Sequence, residues 1–135
     1  MNTFKLDILA AEKPFYSGEC TSLVIPANDG QYGIQANHSN MIAAVVPGAV
    51  RFTTPDGETT VAAVSAGIIK VEDNTVVMLV DTIERPEEID ENRARRAAEQ
   101  AKEALLQKRS IQEYYAAQAE MARAVNRLKV KKGSF

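Results

Sequence analysis

The chain has 135 residues, 45% of them hydrophobic, with one Cys, one His and no Trp. That fills one core or two small ones, built from Val, Ile, Leu and Ala rather than from aromatics. The lone Cys20 excludes an intrachain disulfide and a cysteine-built zinc site. The net charge of −2 hides a division: residues 1–85 hold 5 basic and 10 acidic side chains, whereas residues 86–135 hold 11 and 8. After Glu120 every charged residue is basic: Arg123, Arg127, Lys129, Lys131 and Lys132. An acidic front and a basic tail anticipate different partners for the two halves. The N-terminus lacks the apolar stretch of a signal peptide. The longest apolar run, Met41–Val46, is far short of the ~20 residues that cross a bilayer. A soluble protein in a reducing compartment is expected.

Taken in order, Phe4–Leu9 alternates apolar and polar before slipping out of step, which reads as a half-buried strand. Lys13-Pro14 punctuates it. Residues 15–25 carry two apolar groups around Ser17-Gly18-Glu19, with Leu23-Val24-Ile25 as a strand core. Pro26 and Asn28-Asp29-Gly30 form a turn before the short strand Gln31–Ile34. Ala36–Asn40 is a polar loop, Met41–Val46 is buried, and Pro47-Gly48 turns the chain. Pro55-Asp56-Gly57 and Glu72-Asp73-Asn74 each join a pair of strands into a hairpin, and Ser65-Ala66-Gly67 marks a further turn or bulge. Short strands at roughly 8–12-residue spacing predict an antiparallel sandwich of about ten strands over residues 1–85.

From Glu84 to Ala94 the hydrophobic period switches from about 2 to about 3.6. Pro86 fixes its own φ and pushes Arg85 out of the helical region, so strand cannot run straight into helix. Acids at 87, 88, 90 and 91 suit a helix N-terminus, with Asp90 as N-cap. Ala94, Ala97, Ala98, Ala101, Ala104 and Leu105 then fall on one helical face, and Glu91 pairs with Arg95 four residues on. Lys108-Arg109 suits a helix end, and Ser110–Glu113 has a capping-box pattern that starts a second helix through Tyr114, Tyr115, Gln118, Met121, Ala122, Val125 and Leu128. Residues 86–135 are thus expected to form an antiparallel two-helix hairpin. Its alanines give high helicity but bury little area, at about 0.8 kcal/mol per CH₂, so the helices persist while their packing can change.

No constellation of nucleophile, base and oxyanion donor is visible. His38 has no second His or Cys nearby, and Gly30 and Gly33 are turn glycines without a phosphate-loop pattern. A small hydrolase using His38 with Asp or Glu remains a competing reading. Nucleic-acid binding by the tail is another, weakened by the absence of interleaved aromatics. The helical half offers one cluster. Arg123 and Arg127 lie on one face near the end of the second helix, and antiparallel packing brings that end toward Asp90 and Arg93. Guanidinium forks suit phosphate, with Glu84 and Asp90 as counter-ions. A solvated basic face is the alternative, as is a stand-alone ATP-sensing module.

Four segments carry a resemblance. Gly30-Gln31-Tyr32-Gly33-Ile34 followed by His38 resembles a G-x-x-G-I-x-x-x-H stretch. Ser65-Ala66-Gly67 resembles an S/G-x-G segment, Ile89–Ala94 an I-D-x-x-R-A motif, and Arg123–Leu128 an R-A-x-x-R-L segment. Together and in order, these are similar to the epsilon subunits of F-type ATP synthases. The loop Ala36–Met41 departs from the common P-G-H-x-P-L, losing two prolines and a glycine, and Gln31 stands where many members carry an acid. The resemblance implies a non-catalytic rotor subunit with no required cofactor, peripheral on the cytoplasmic face of the cell membrane. The sandwich would dock on the gamma subunit and the c-ring, with Gln31, Tyr32 and His38 in the contact. The hairpin would reach the catalytic beta and alpha subunits and inhibit ATP hydrolysis. In some members ATP binds the folded hairpin, and Glu84, Ile89, Asp90, Arg93, Arg123 and Arg127 hold the matching positions.

Overall fold

The computed structural model describes residues 2–107 and 111–133, and for residues 107 and 111–114 the backbone only. The chain divides into two compact units, Met1–Glu84 and Arg85–Phe135.

The first unit is a sandwich of ten strands: β1 (Phe4–Ala10), β2 (Pro14–Cys20), β3 (Ser22–Ala27), β4 (Gly30–Gln35), β5 (Met41–Val45), β6 (Gly48–Thr53), β7 (Thr59–Val64), β8 (Gly67–Glu72), β9 (Thr75–Val80) and β10 (Ile83–Glu84). Sheet one has the order β2-β1-β9-β8-β5, and sheet two the order β10-β7-β6-β3-β4. All pairs are antiparallel but one: β1 lies parallel to β9, Lys5 opposite Thr75 through Ala10 opposite Val80. The first strand therefore sits in mid-sheet beside the ninth, a long-range pairing that local turn signals do not carry.

Alternation decides what is buried. Phe4, Leu6 and Ile8 of β1 meet Ile69, Val71, Val76 and Met78 of β8 and β9 in one dry layer. Leu23, Ile25, Ile34, Val50, Phe52, Ala62 and Val64 of sheet two close on them. Cys20 is fully buried in this core, and the Tyr16 ring stacks at a tilt on Phe52, centroids 4.6 Å apart.

Ser65-Ala66-Gly67 is where the chain passes from sheet two to sheet one. Ser65 Oγ accepts the Thr82 N–H at 2.8 Å, and the Ser65 N–H donates to Thr82 O at 3.1 Å, so the passage is bonded to the segment after β9. Gly67 is required by proximity: a Cβ there would stand 2.1 Å from the Leu79 carbonyl oxygen and 2.8 Å from Val80 Cα.

In the second unit, Arg85 is extended (φ −73°, ψ 154°) and Pro86–Glu88 make one 3-10 turn. Helix α1 follows (Glu91–Gln107), then α2 (Ile111–Lys132). Asp90 caps α1: its Oδ1 accepts the Arg93 N–H at 3.1 Å while its carbonyl accepts the Ala94 N–H at 3.0 Å. Arg95 reaches Glu91 at 2.8 Å, an exposed pair worth a few tenths of a kcal/mol. Ala94 and Ala101 of α1 are buried, and so are Ala117, Ala124 and Val130 of α2. The α2 face thus follows Ala117, Met121 and Ala124. Tyr115 and Gln118 of the same helix are exposed, off this stripe. The expected capping box at Ser110–Glu113 and the basic Lys108-Arg109 lie outside the described residues.

Gly67→Ala should cost about 3 kcal/mol, because backbone atoms rather than a flexible side chain block the new methyl. The urea midpoint should fall with an unchanged slope. Gly33→Ala, where a Cβ meets nothing within 4 Å, should be close to neutral.

Candidate functional site

One row of the outer face of sheet one is apolar where a solvent face would be polar. Register places Pro14, Leu9, Leu79, Ile68 and Ala44 side by side across all five strands. Leu9 is 39% exposed, Leu79 43% and Ile68 50%, and Ile42, two residues along β5, is 72% exposed. The row below is mixed: Asp7, Val77 and Lys70 opposite Ile42. Lys70 and Glu72 form an exposed ion pair at 2.9 Å, and the hydrogen bond to the Glu72 carboxylate raises the Lys70 pKa above its ordinary value. Sequence reading did not single out this row. Its signal was the apolar doublets Ile8-Leu9, Ile68-Ile69 and Met78-Leu79, which break alternation because each strand is apolar on both faces there.

Tyr32 and His38 lie together, on β4, the edge strand of sheet two, and on the loop that follows it, whereas Gln31, next to Tyr32 in the strand, projects from the opposite face. Gln31 is exposed and Tyr32 is 39% exposed. The Tyr32 hydroxyl stands 2.9 Å from His38 Nε2, and the two rings meet edge to face at 5.7 Å. His38 Nδ1 lies 2.7 Å from the Ser39 carbonyl. A carbonyl only accepts, so Nδ1 carries the proton, and in the neutral ring Nε2 accepts from the Tyr32 hydroxyl.

The hinge residues fall into two groups. Glu84 ends β10, paired with Ala63 at the close of the sandwich. Ile89 is buried, and Asp90 and Arg93 are exposed at the start of α1. Lys131 Nζ donates to the Pro86 carbonyl at 3.1 Å, so the end of α2 lies beside the turn that precedes α1. At 1.5 Å per residue, Arg127 lies about 6 Å and Arg123 about 12 Å back along α2 from that contact, beside the first turns of α1. Arg123 is committed to Glu120 at 2.6 Å.

Among the described residues no group of three His, Cys, Asp or Glu side chains stands close enough to hold a metal ion. Burial pushes the Cys20 thiol above its ordinary range, with the neighbouring Tyr16 hydroxyl acting the other way. Desolvation and that thiol push Tyr16 up to about 12. A buried neutral thiol is a poor nucleophile. Among the described residues no helix is long and apolar enough to cross a membrane.

Two family models match in tandem. Residues 3–86 match the ATP synthase delta/epsilon chain beta-sandwich domain, and residues 87–132 match the long alpha-helix domain of the same chain. The ATP synthase epsilon chain of Alkalilimnicola ehrlichii is 38% identical over 128 residues, 95% of this chain and 91% of that protein. The epsilon chain of Ruminiclostridium cellulolyticum is 39% identical over 128 residues, 95% of each. Among solved structures, a chain of the Euglena gracilis mitochondrial ATP synthase (OSCP/F1/c-ring) shares the fold with a TM-score of 0.82 at 18% identity, covering 93% of this chain and 79% of that one. A chain from the central stalk and c-ring of the Tetrahymena thermophila enzyme gives a TM-score of 0.66 at 16% identity, covering 94% and 95%. With sandwich and hairpin both matched, in order and nearly end to end, the chain belongs to the ATP synthase delta/epsilon family, as an epsilon chain.

Proposed function

We propose that the chain is a non-catalytic central-stalk subunit of the F-type ATP synthase, turning with the rotor and helping couple proton- or sodium-driven rotation to ATP synthesis. The observation that carries this is the apolar row of Leu9, Leu79, Ile68 and Ala44 with Ile42 beside it. An exposed apolar band across a whole sheet marks a protein-binding surface. Its occupant in this reading is the gamma subunit. The polar edge that carries Gln31, Tyr32 and His38 faces the c-ring loops in this reading. The stalk and c-ring origin of the solved neighbours supports the same place in the enzyme. Contact with the membrane then comes only through the complex, at the cytoplasmic face of the cell membrane.

The hairpin restrains ATP hydrolysis in this reading, by extending toward the catalytic alpha and beta subunits. Two features support it. Its buried contact face is largely alanine, so opening it exposes little apolar area. Its last turn carries Lys129, Lys131 and Lys132, suited to acidic segments of a partner. ATP is a candidate regulatory ligand of the folded hairpin, held by Asp90, Arg93, Arg123 and Arg127, because Arg123 and Arg127 run beside the first turns of α1. Binding there would favour the folded hairpin by differential affinity.

Three measurements check the parts separately. Ile68→Lys with Leu79→Lys should leave the sandwich folded and weaken association with gamma by ~30-fold or more, about 2 kcal/mol. Undiminished binding would remove the apolar row as the docking surface. Ending the chain after Arg85 should leave the complex assembled and raise ATP hydrolysis; an unchanged rate would count against inhibition. Calorimetry with millimolar ATP should give heat for the wild type and less for Arg93→Ala, and a silent wild type would sink the nucleotide site.

A further inference from the structure

We infer that Asn74, in the turn between β8 and β9, is a positioning residue for the Tyr32–His38 surface. The inference rests on the reading of that surface as a docking face. The loop 36–40 leaves β4 in sheet two and enters β5 in sheet one, so it belongs to neither ladder. It contains no proline or glycine to restrict its path. Asn37 nevertheless sits at φ 64°, a left-handed conformation that costs an L-residue about 1 kcal/mol.

Locally, the His38 N–H closes a turn onto the Gln35 carbonyl at 3.3 Å; the side-chain hydrogen bonds that fix the loop's two ends come from the other sheet. Asn74 Oδ1 accepts the Asn37 N–H at 2.7 Å. Its Nδ2 donates to the Thr3 carbonyl at 2.9 Å, and its own carbonyl lies 3.3 Å from the Lys5 N–H. Beside it, the Asp73 N–H donates to Asn40 Oδ1 at 3.1 Å. One side-chain amide thus ties the His38 loop to the entry of β1, and a second bond fixes the loop's far end to the same turn. Asp73 and Asn74 are themselves left-handed, at φ 49° and 61°, which aims the Asn74 amide at the loop. His38 lies one residue from the anchored Asn37, so the anchor sets the backbone from which the ring reaches Tyr32.

The side chain can be removed without disturbing the turn. Asn74→Gly keeps a positive φ at no steric cost and deletes the amide. Asn74→Asp keeps the acceptor for Asn37 and loses the donor to Thr3. In the full chain, Asn74→Gly should raise amide hydrogen exchange at Asn37 by about ten-fold, as expected for one lost hydrogen bond. It should also shift the His38 ring resonances and weaken association with synthase stripped of this subunit several-fold. Asn74→Asp should restore all three toward the wild type. His38→Ala tests the docking face independently. If His38→Ala weakens association while Asn74→Gly leaves exchange and association unchanged, the inference is overturned. If His38→Ala itself leaves association unchanged, the docking reading fails, and the positioning role for docking falls with it. If Asn74→Gly loosens the loop and Asn74→Asp does not restore it, the Asn37 contact is not what positions His38, and the inference is likewise overturned.

Discussion

A two-layer sandwich can bury only one face of each sheet, and strand alternation assigns every side chain to the inside or the outside. Phe4, Leu6 and Ile8 take the inside of β1, which forces Leu9 outward. Ile69 takes the inside of β8, which forces Ile68 outward, and Met78 does the same to Leu79. The register of β1 on β9 and of β9 on β8 then gathers these leftovers into one row. The core and the exposed apolar row are therefore two faces of the same strands. Moving a strand by one residue would exchange them.

The hairpin follows a different rule. Its contact is made largely by Ala94, Ala101, Ala117 and Ala124, with Met121 and Val130, and the alanines bring two helices close without committing much apolar area. Polar devices at its open end make up part of the difference. Glu88 Oε1 accepts the Arg85 N–H at 3.0 Å, Asp90 caps α1, and Lys131 holds the Pro86 carbonyl. Such bonds are worth about 1 kcal/mol each in net terms and exchange readily with water or with a partner. A helical pair fastened this way costs less to open than the sandwich, which is fastened by large buried side chains.

The Tyr32–His38 loop shows how a loop without stiffening residues of its own can be held from a distance. Residues that would stiffen the loop from within are missing, and Asn37 occupies a conformation more often given to glycine. The bonds that hold its ends come from Asp73 and Asn74, more than thirty positions later in the chain and in the other sheet.

The sequence by itself determined the kinds of element and their limits. Alternation and turn residues announce the strands, Pro86 marks the change of period, and Asp90 announces the cap. These are local effects, acting within a few residues through φ restriction and side-chain-to-backbone bonds. It also carried the family, through motifs spread along the chain. Only the tertiary structure decided that β1 runs parallel to β9, that the apolar doublets align into a surface, and that Asn74 reaches Asn37. Each depends on segments far apart in sequence being brought to one register, and pairing between distant strands is fixed by the whole core rather than by either strand alone. The Ser65–Gly67 segment spans both levels: its pattern was legible as a turn, but the reason for Gly67 is the Leu79 carbonyl that the fold presses against it.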